Sequence, residues 1–219
     1  MTAVVLHGRA AKTGFEIRQM GPPERRAPRN FAQGSDYIWT QEALFDFKLY
    51  SGTEEALWLT KSLLDAQTNE ELGALASAYG HVVCGNRFDG GECSLISDYR
   101  DRVNDLRRLH DLLQDGHFSE SDLPPSGLVY SPFSVGFSYW LVPSEGPRGF
   151  APVLLTHSLY CFVCHEIISL ALANRPLLVC KACGKFQRPT ARRDSKFCSA
   201  KCRVAHHRER EKAKILSNG

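Results

Sequence analysis

Apolar positions recur at helical spacing through much of the first half of the chain. Residues 41–50 carry Ala43, Leu44, Phe45 and Phe47, a spacing that predicts a short helix. Thr53, Glu54 and Glu55 offer a cap and an acidic first turn to a second helix, with Ala56, Leu57, Leu59, Leu63 and Leu64 on its buried side. Thr68 and Glu71 stand in capping-box register at the head of a third helix, which carries Leu72, Leu75, Ala76 and Tyr79 and stops near Gly80. From about residue 97 to 114, Val103, Leu106, Leu109, His110, Leu112 and Leu113 form a stripe opposite Arg100, Asp101, Arg102, Asp105, Arg107 and Arg108. The mixed signs mark that outer face as solvated, and His110, on the stripe, reads as a buried histidine.

The pattern changes on either side of this region. Residues 127–142 are rich in aromatic and β-branched side chains and predict a small β-hairpin. Residues 152–173 are mostly apolar and predict a buried helix, interrupted by His165 and Glu166. Residues 81–94 read as irregular. In residues 1–30, Val4 and Val5 suggest at most a brief strand, while Gly21-Pro22-Pro23 and the Arg25–Arg29 run predict a flexible arm of net charge +4. The expected fold is therefore mainly α with a small β-hairpin. It divides into an arm (1–30), a helical domain with the hairpin (31–174) and a C-terminal module (175–219).

The module is set apart by its cysteines. Cys180 and Cys183 are spaced C-x2-C, fourteen residues separate them from the second pair, and Cys198 and Cys202 are spaced C-x3-C. Two short-spaced thiol pairs suit a tetrahedral zinc ion, the first in a turn relaxed by Gly184, the second on one face of a helix. This combination predicts a treble-clef zinc finger holding one structural Zn2+ through Cys180, Cys183, Cys198 and Cys202. The other cysteines have no such frame. Cys84 and Cys93 are too far apart for a usual ligand pair, and Cys161-Phe162-Val163-Cys164-His165, a haem-attachment pattern, sits inside the most apolar predicted helix.

Charge sharpens the contrast. The net charge of the chain is only +3, yet residues 175–214 hold 13 Lys and Arg against 3 Asp and Glu, a net of +10, which leaves −7 elsewhere. Five of the twelve residues from Lys185 to Lys196 are basic, and a helix after Cys202 would align Arg203, His207, Arg210 and Lys214. Such a stripe attracts a polyanion. The candidate nucleic-acid contacts are Lys185, Arg188, Arg192, Arg193, Lys196, Arg203, Arg208 and Arg210. No phosphate loop, hydrolase triad or metalloprotease motif stands out, so an enzyme is not expected. With 43% hydrophobic residues, no apolar run of ~18 residues and no secretory leader at the start, a cytoplasmic protein with reduced cysteines and no membrane association is expected.

On its cysteine pairs, Phe186, Phe197-Cys198-Ser199 and the Arg/His-rich helix end, the module over residues 176–212 resembles the CGNR-type zinc-finger proteins, a bacterial family of transcription regulators. In that family the last ligand opens a Cys-Gly-Asn-Arg run; here Cys202 is followed by Arg203, Val204 and Ala205. The resemblance implies a DNA-binding regulator whose N-terminal domain senses a ligand or holds a partner. The alternatives are a protein-interaction adaptor and an RNA- or ribosome-associated factor that uses the zinc module as a docking surface.

Overall fold

The computed structural model describes residues 3–11, 14–21, 32–41, 45–82, 86–88, 91–115, 138–143, 150–175, 177–187 and 196–217. Its first strand, β1 (Ala3–Ala10), begins inside the expected arm. Val4, Val5 and Leu6 are 0–3% exposed, an aliphatic run buried on both faces, as a central strand requires. β2 (Phe15–Gln19) also lies within the expected arm, and β3 (Asp36–Gln41) follows beyond it. The brief strand expected at Val4 and Val5 runs on to Ala10, and β2 overturns the flexible-arm reading at residues 15–19, while the Pro/Arg run at 22–31 lies outside the described residues.

β4 (Phe45–Tyr50) corrects the helix expected over residues 41–50. Leu49 is buried and Phe47 half-buried, whereas Asp46, Lys48 and Tyr50 are exposed, the alternation of a strand. β4 pairs antiparallel with β1, Leu6 opposite Leu49. On its other edge β1 runs parallel to a strand over Phe150–Thr156, which replaces the start of the long helix expected for residues 152–173. The remainder of that segment is helical: Ser158 caps Leu159–Leu172, its Oγ accepting from Cys161 N at 3.2 Å. Of the hairpin expected at 127–142, residues 127–137 lie outside the described residues. Ser138–Pro143 is a strand, paired antiparallel with Phe150–Thr156.

Three helices follow the β4 turn: α1 (Glu54–Asp65), α2 (Asn69–Tyr79) and, after the next two strands, α3 (Ile96–Asp115). The caps act as the sequence indicates. Thr53 Oγ1 accepts from Ala56 N at 3.2 Å, and Thr68 and Glu71 exchange backbone hydrogen bonds in a complete capping box. The backbone amides of Gln67 and Thr68 hold the Glu71 carboxyl below its usual range. Between α2 and α3, residues expected to be irregular form β5 (Asn86–Phe88) and β6 (Gly91–Leu95). A Cβ at Gly91 would lie 2.3 Å from the Thr40 carbonyl oxygen, so β6 approaches β3 this closely only with glycine there.

In chain order the later elements are β7 (Ser138–Pro143), β8 (Phe150–Thr156), α4 (Leu159–Leu172), β9 (Leu178–Val179), β10 (Phe186–Gln187) and α5 (Ala200–Ser217). One sheet has the order β4-β1-β8-β7, a second the order β2-β3-β6-β5, and β9 and β10 form a small third. The mainly α fold with a single hairpin is therefore incorrect: five helices stand beside ten strands in three sheets among the described residues. Strands whose partners lie tens of residues away carry no local signal strong enough to separate them from short helices. Within those residues no helix is long and apolar enough to cross a membrane.

The core gathers Leu6, Leu59, Leu63, Leu72, Tyr99 and Phe162 between the first sheet and α1–α4. His81 ties α2 to the second sheet, with Nε2 3.0 Å from Thr40 Oγ1 and Nδ1 2.7 Å from Ser94 Oγ; burial pushes its pKa down to about 4, so the ring is neutral. The Tyr99 hydroxyl, fully buried, finds no hydrogen-bond partner among the described residues. Tyr99→Phe is accordingly expected to raise stability by about 1 kcal/mol, because it removes an unsatisfied polar atom and keeps the ring. Urea unfolding of both proteins checks this, and a loss of 1 kcal/mol or more would show that the hydroxyl is satisfied.

Candidate metal centre and its basic helix

The C-terminal hairpin is built around a tight turn. Phe186 pairs with Val179 and Gln187 with Leu178, leaving Cys180 to Lys185 as the connection. Gly184 N donates to Cys180 O and Cys180 N to Lys185 O, both at 2.9 Å. Gly184 has φ 69°, in the left-handed region where any side chain adds strain of roughly 1 kcal/mol. The turn presents Cys180 and Cys183 together. On the other half, Ser199 Oγ accepts from Cys202 N at 3.2 Å, which starts α5 and places Cys202 one turn beyond Cys198. Lys181 N donates to Lys196 O at 2.9 Å and joins the two halves.

The four sulfurs converge. Those of Cys180, Cys183, Cys198 and Cys202 all lie within 4.8 Å of one another, a cluster that could hold a metal ion. Cys198 Sγ is 3.8 Å from Cys183 Sγ and 3.4 Å from Cys202 Sγ, and the Cys198 amide donates to Cys180 Sγ at 3.4 Å. Cys180 is buried and Cys183 exposed, so the cluster sits at the surface with one ligand rooted inside. Burial opposes ionisation of Cys180, but backbone amides of Cys198, Cys183 and Ala182 outweigh it and bring the thiol down to about 6. Hydrogen bonding to Cys202, with burial, pushes Cys198 up to about 12. Without a cation, sulfurs this close cannot all ionise; a divalent metal removes that conflict.

The chain matches no known protein family, curated protein or solved structure.

Cys93, Cys161 and Cys164 are small buried core residues. Cys161 and Cys164 lie on α4, 7% and 0% exposed, and burial raises the Cys164 thiol to about 12 and that of Cys93 to about 11. Buried inside a helix, Cys161 and Cys164 present no exposed thiol for haem attachment or redox exchange. Cys84 lies outside the described residues.

The module is latched to the body through a few contacts. Phe186 N donates to Asp65 Oδ1 at 2.7 Å, and the Phe186 ring meets the His110 ring edge-on at 4.8 Å. His110 Nε2 and Gln114 Nε2 both donate to Leu177 O, at 2.7 and 3.2 Å. His110 is buried, as its place on the α3 stripe indicates.

Of the basic residues singled out in the sequence, Lys185, Lys196, Arg203, Arg208 and Arg210 are exposed. Lys196, Arg203 and Arg210 come together with Lys181 along a groove of about 370 Å³ beside the cysteines; Lys185 and Arg208 do not line it. Arg188, Arg192 and Arg193 lie outside the described residues. Lys181 and Phe197, also in the groove, were not among the expected contacts. The signal for them was available, since each directly neighbours a cysteine of the cluster.

Proposed function

We propose that the module is a zinc-organised nucleic-acid-binding unit and that the protein is a DNA-binding transcription regulator. The observation that carries this reading is the convergence of four thiols beside four clustered cations, Lys181, Lys196, Arg203 and Arg210. Zinc fits the donor set: soft thiolates favour it, and a Zn–S length of ~2.3 Å places tetrahedral sulfurs roughly 3.8 Å apart. The observed separations of 3.8 and 3.4 Å lie close to that spacing. Four protein ligands close the coordination shell, so the ion's role is structural: it holds the cations of two loops and α5 in one arrangement. Cations held this way meet phosphates without first losing chain entropy. The resemblance of residues 176–212 to CGNR-type fingers is the ground for preferring a regulator.

Salt titration tests the reading. With metal-loaded full-length protein and a labelled duplex, log Kobs is expected to fall with log salt at a slope of about −2 to −4, as two to four released counterions require. A flat response, or no binding to either DNA or RNA, overturns it in favour of a protein-docking surface. Competition by structured RNA that exceeds competition by duplex DNA would replace the DNA assignment with an RNA one.

A further inference from the structure

The lining of the groove beside the cysteine cluster is of two kinds. Lys181, Lys196, Arg203 and Arg210 contribute four cations against one carboxylate, Glu211. Phe197, His206 and the exposed His207 contribute rings; those of Phe197 and His206 are half-buried, with centroids 5.1 Å apart and planes tilted by 58°. Lys181 follows Cys180 and Phe197 precedes Cys198, and the Lys181–Lys196 backbone hydrogen bond ties these two segments together. The same contacts that bring the sulfurs together therefore shape the groove.

A basic helix needs neither a concavity nor a ring to bind duplex phosphates, because those contacts are made from a convex face to an outer backbone. A concave site of about 370 Å³ that joins cations to partly open rings has the size and chemistry of a single nucleotide. Cationic grooves with aromatic platforms are how proteins hold unpaired strands: phosphate on the charges, base on the ring. We propose that this groove seats one unpaired nucleotide of a single strand, its phosphate against Lys181, Lys196 and Arg203 and its base against Phe197 and His206. The inference rests on the nucleic-acid reading above and goes further, because it makes an unpaired strand, or the unpaired part of a junction, the preferred form.

The test uses the metal-loaded full chain with a labelled oligothymidylate, free and annealed to its complement, by fluorescence anisotropy at matched salt. The single strand is expected to bind about ten-fold more tightly than the duplex. Phe197→Leu, which keeps apolar bulk and removes the ring, is expected to weaken the single strand about ten-fold with duplex affinity and metal content unchanged. Should Phe197→Leu lose metal, His206→Leu carries the same readout. Lys181→Ala is expected to reduce the single-strand salt slope by about 0.7, whereas Lys212→Ala, exposed and outside the groove lining, keeps the ratio of the two affinities. Equal loss on both substrates, or a single strand bound no more tightly than the duplex, overturns the site while the nucleic-acid reading stands. Absence of binding to either form overturns that reading itself, and the site with it.

Discussion

On the zinc reading, Cys180→Ser is expected to abolish metal binding and unfold α5 while the body keeps its fold. The asymmetry comes from where each part finds its stability. The described side chains of α5, residues 200–212, are almost all exposed, only Cys202 and His206 being half-buried, so this part of the helix presents no apolar face to the body. An isolated eighteen-residue helix is marginal in water. On the zinc reading the sulfur cluster fixes it, since a structural zinc contributes roughly 10–16 kcal/mol of apparent binding energy, which is folding energy for such a module. Serine offers a hard, neutral oxygen in place of a soft thiolate and keeps almost the same size, so the loss reports ligation rather than packing. Hydrogen exchange should show α5 amides losing protection completely, with α3 and α4 protection retained. Metal content should fall from one ion per chain to none, and a strong chelator should reproduce both changes in the unaltered protein. Amides of α5 that remain protected after the metal is gone would mean that the hairpin and helix are held by something other than the cluster.

The latch makes the separation incomplete in an informative way. Leu177 and Phe186 are 1% and 8% exposed and belong to the main core, where Phe186 packs against His110 and hydrogen bonds to Asp65. The root of the hairpin is therefore part of the body, while the cysteines and α5 extend from it. Metal loss should free everything beyond Phe186 and leave the Leu177 contacts with His110 and Gln114 in place.

How much of this was legible follows from the range over which each feature is decided. Thr53, Thr68 and Glu71 settle their helix starts within four residues, and the cysteine pairs settle their turn and helix within five, so both were readable. The strands were not. Phe45–Tyr50 is a strand because β1 lies beside it, in the register Val5 to Tyr50 and Ala10 to Phe45, and nothing between residues 41 and 50 announces that partner. Residues 152–156 read as helix because their apolar run continues into α4; parallel pairing with Ala3–Leu6, 150 residues earlier in the chain, decides otherwise. The groove has the same character. Lys181, Phe197 and Arg210 become neighbours only when the sulfurs meet, and helical spacing alone could align Arg203 with Arg210 but not with Lys181.

Glu166→Gln is expected to stabilise the protein by about 2–3 kcal/mol at pH 8 and by little at pH 5. Glu166 is 2% exposed on α4, within the apolar helix, and its Oε1 accepts from Gly52 N at 3.0 Å. Burial raises its pKa to about 7, and the single amide from Gly52 offsets only part of that penalty. The unfolded chain titrates near 4.5, so between about pH 4.5 and 7 the native state holds the extra proton and stability falls as pH rises. Above pH 7 the full cost of a buried charge is present, and 2.5 pKa units correspond to roughly 3 kcal/mol. Glutamine imitates the protonated carboxyl in shape and keeps an oxygen for the Gly52 amide, but it never ionises. His81 pulls the other way: neutral when buried, with a pKa near 4, it makes acid destabilising from about pH 6.5 downward. Two shifts of opposite sign over overlapping ranges flatten the stability profile of the native protein, and Glu166→Gln removes one of them. The variant should therefore show a clear rise in stability from pH 4 to 6.5 that the native protein largely lacks. Chemical unfolding of both proteins across pH 4 to 8 gives the comparison, and an equal gain at pH 5 and pH 8 would mean that Glu166 is already ionised in the fold.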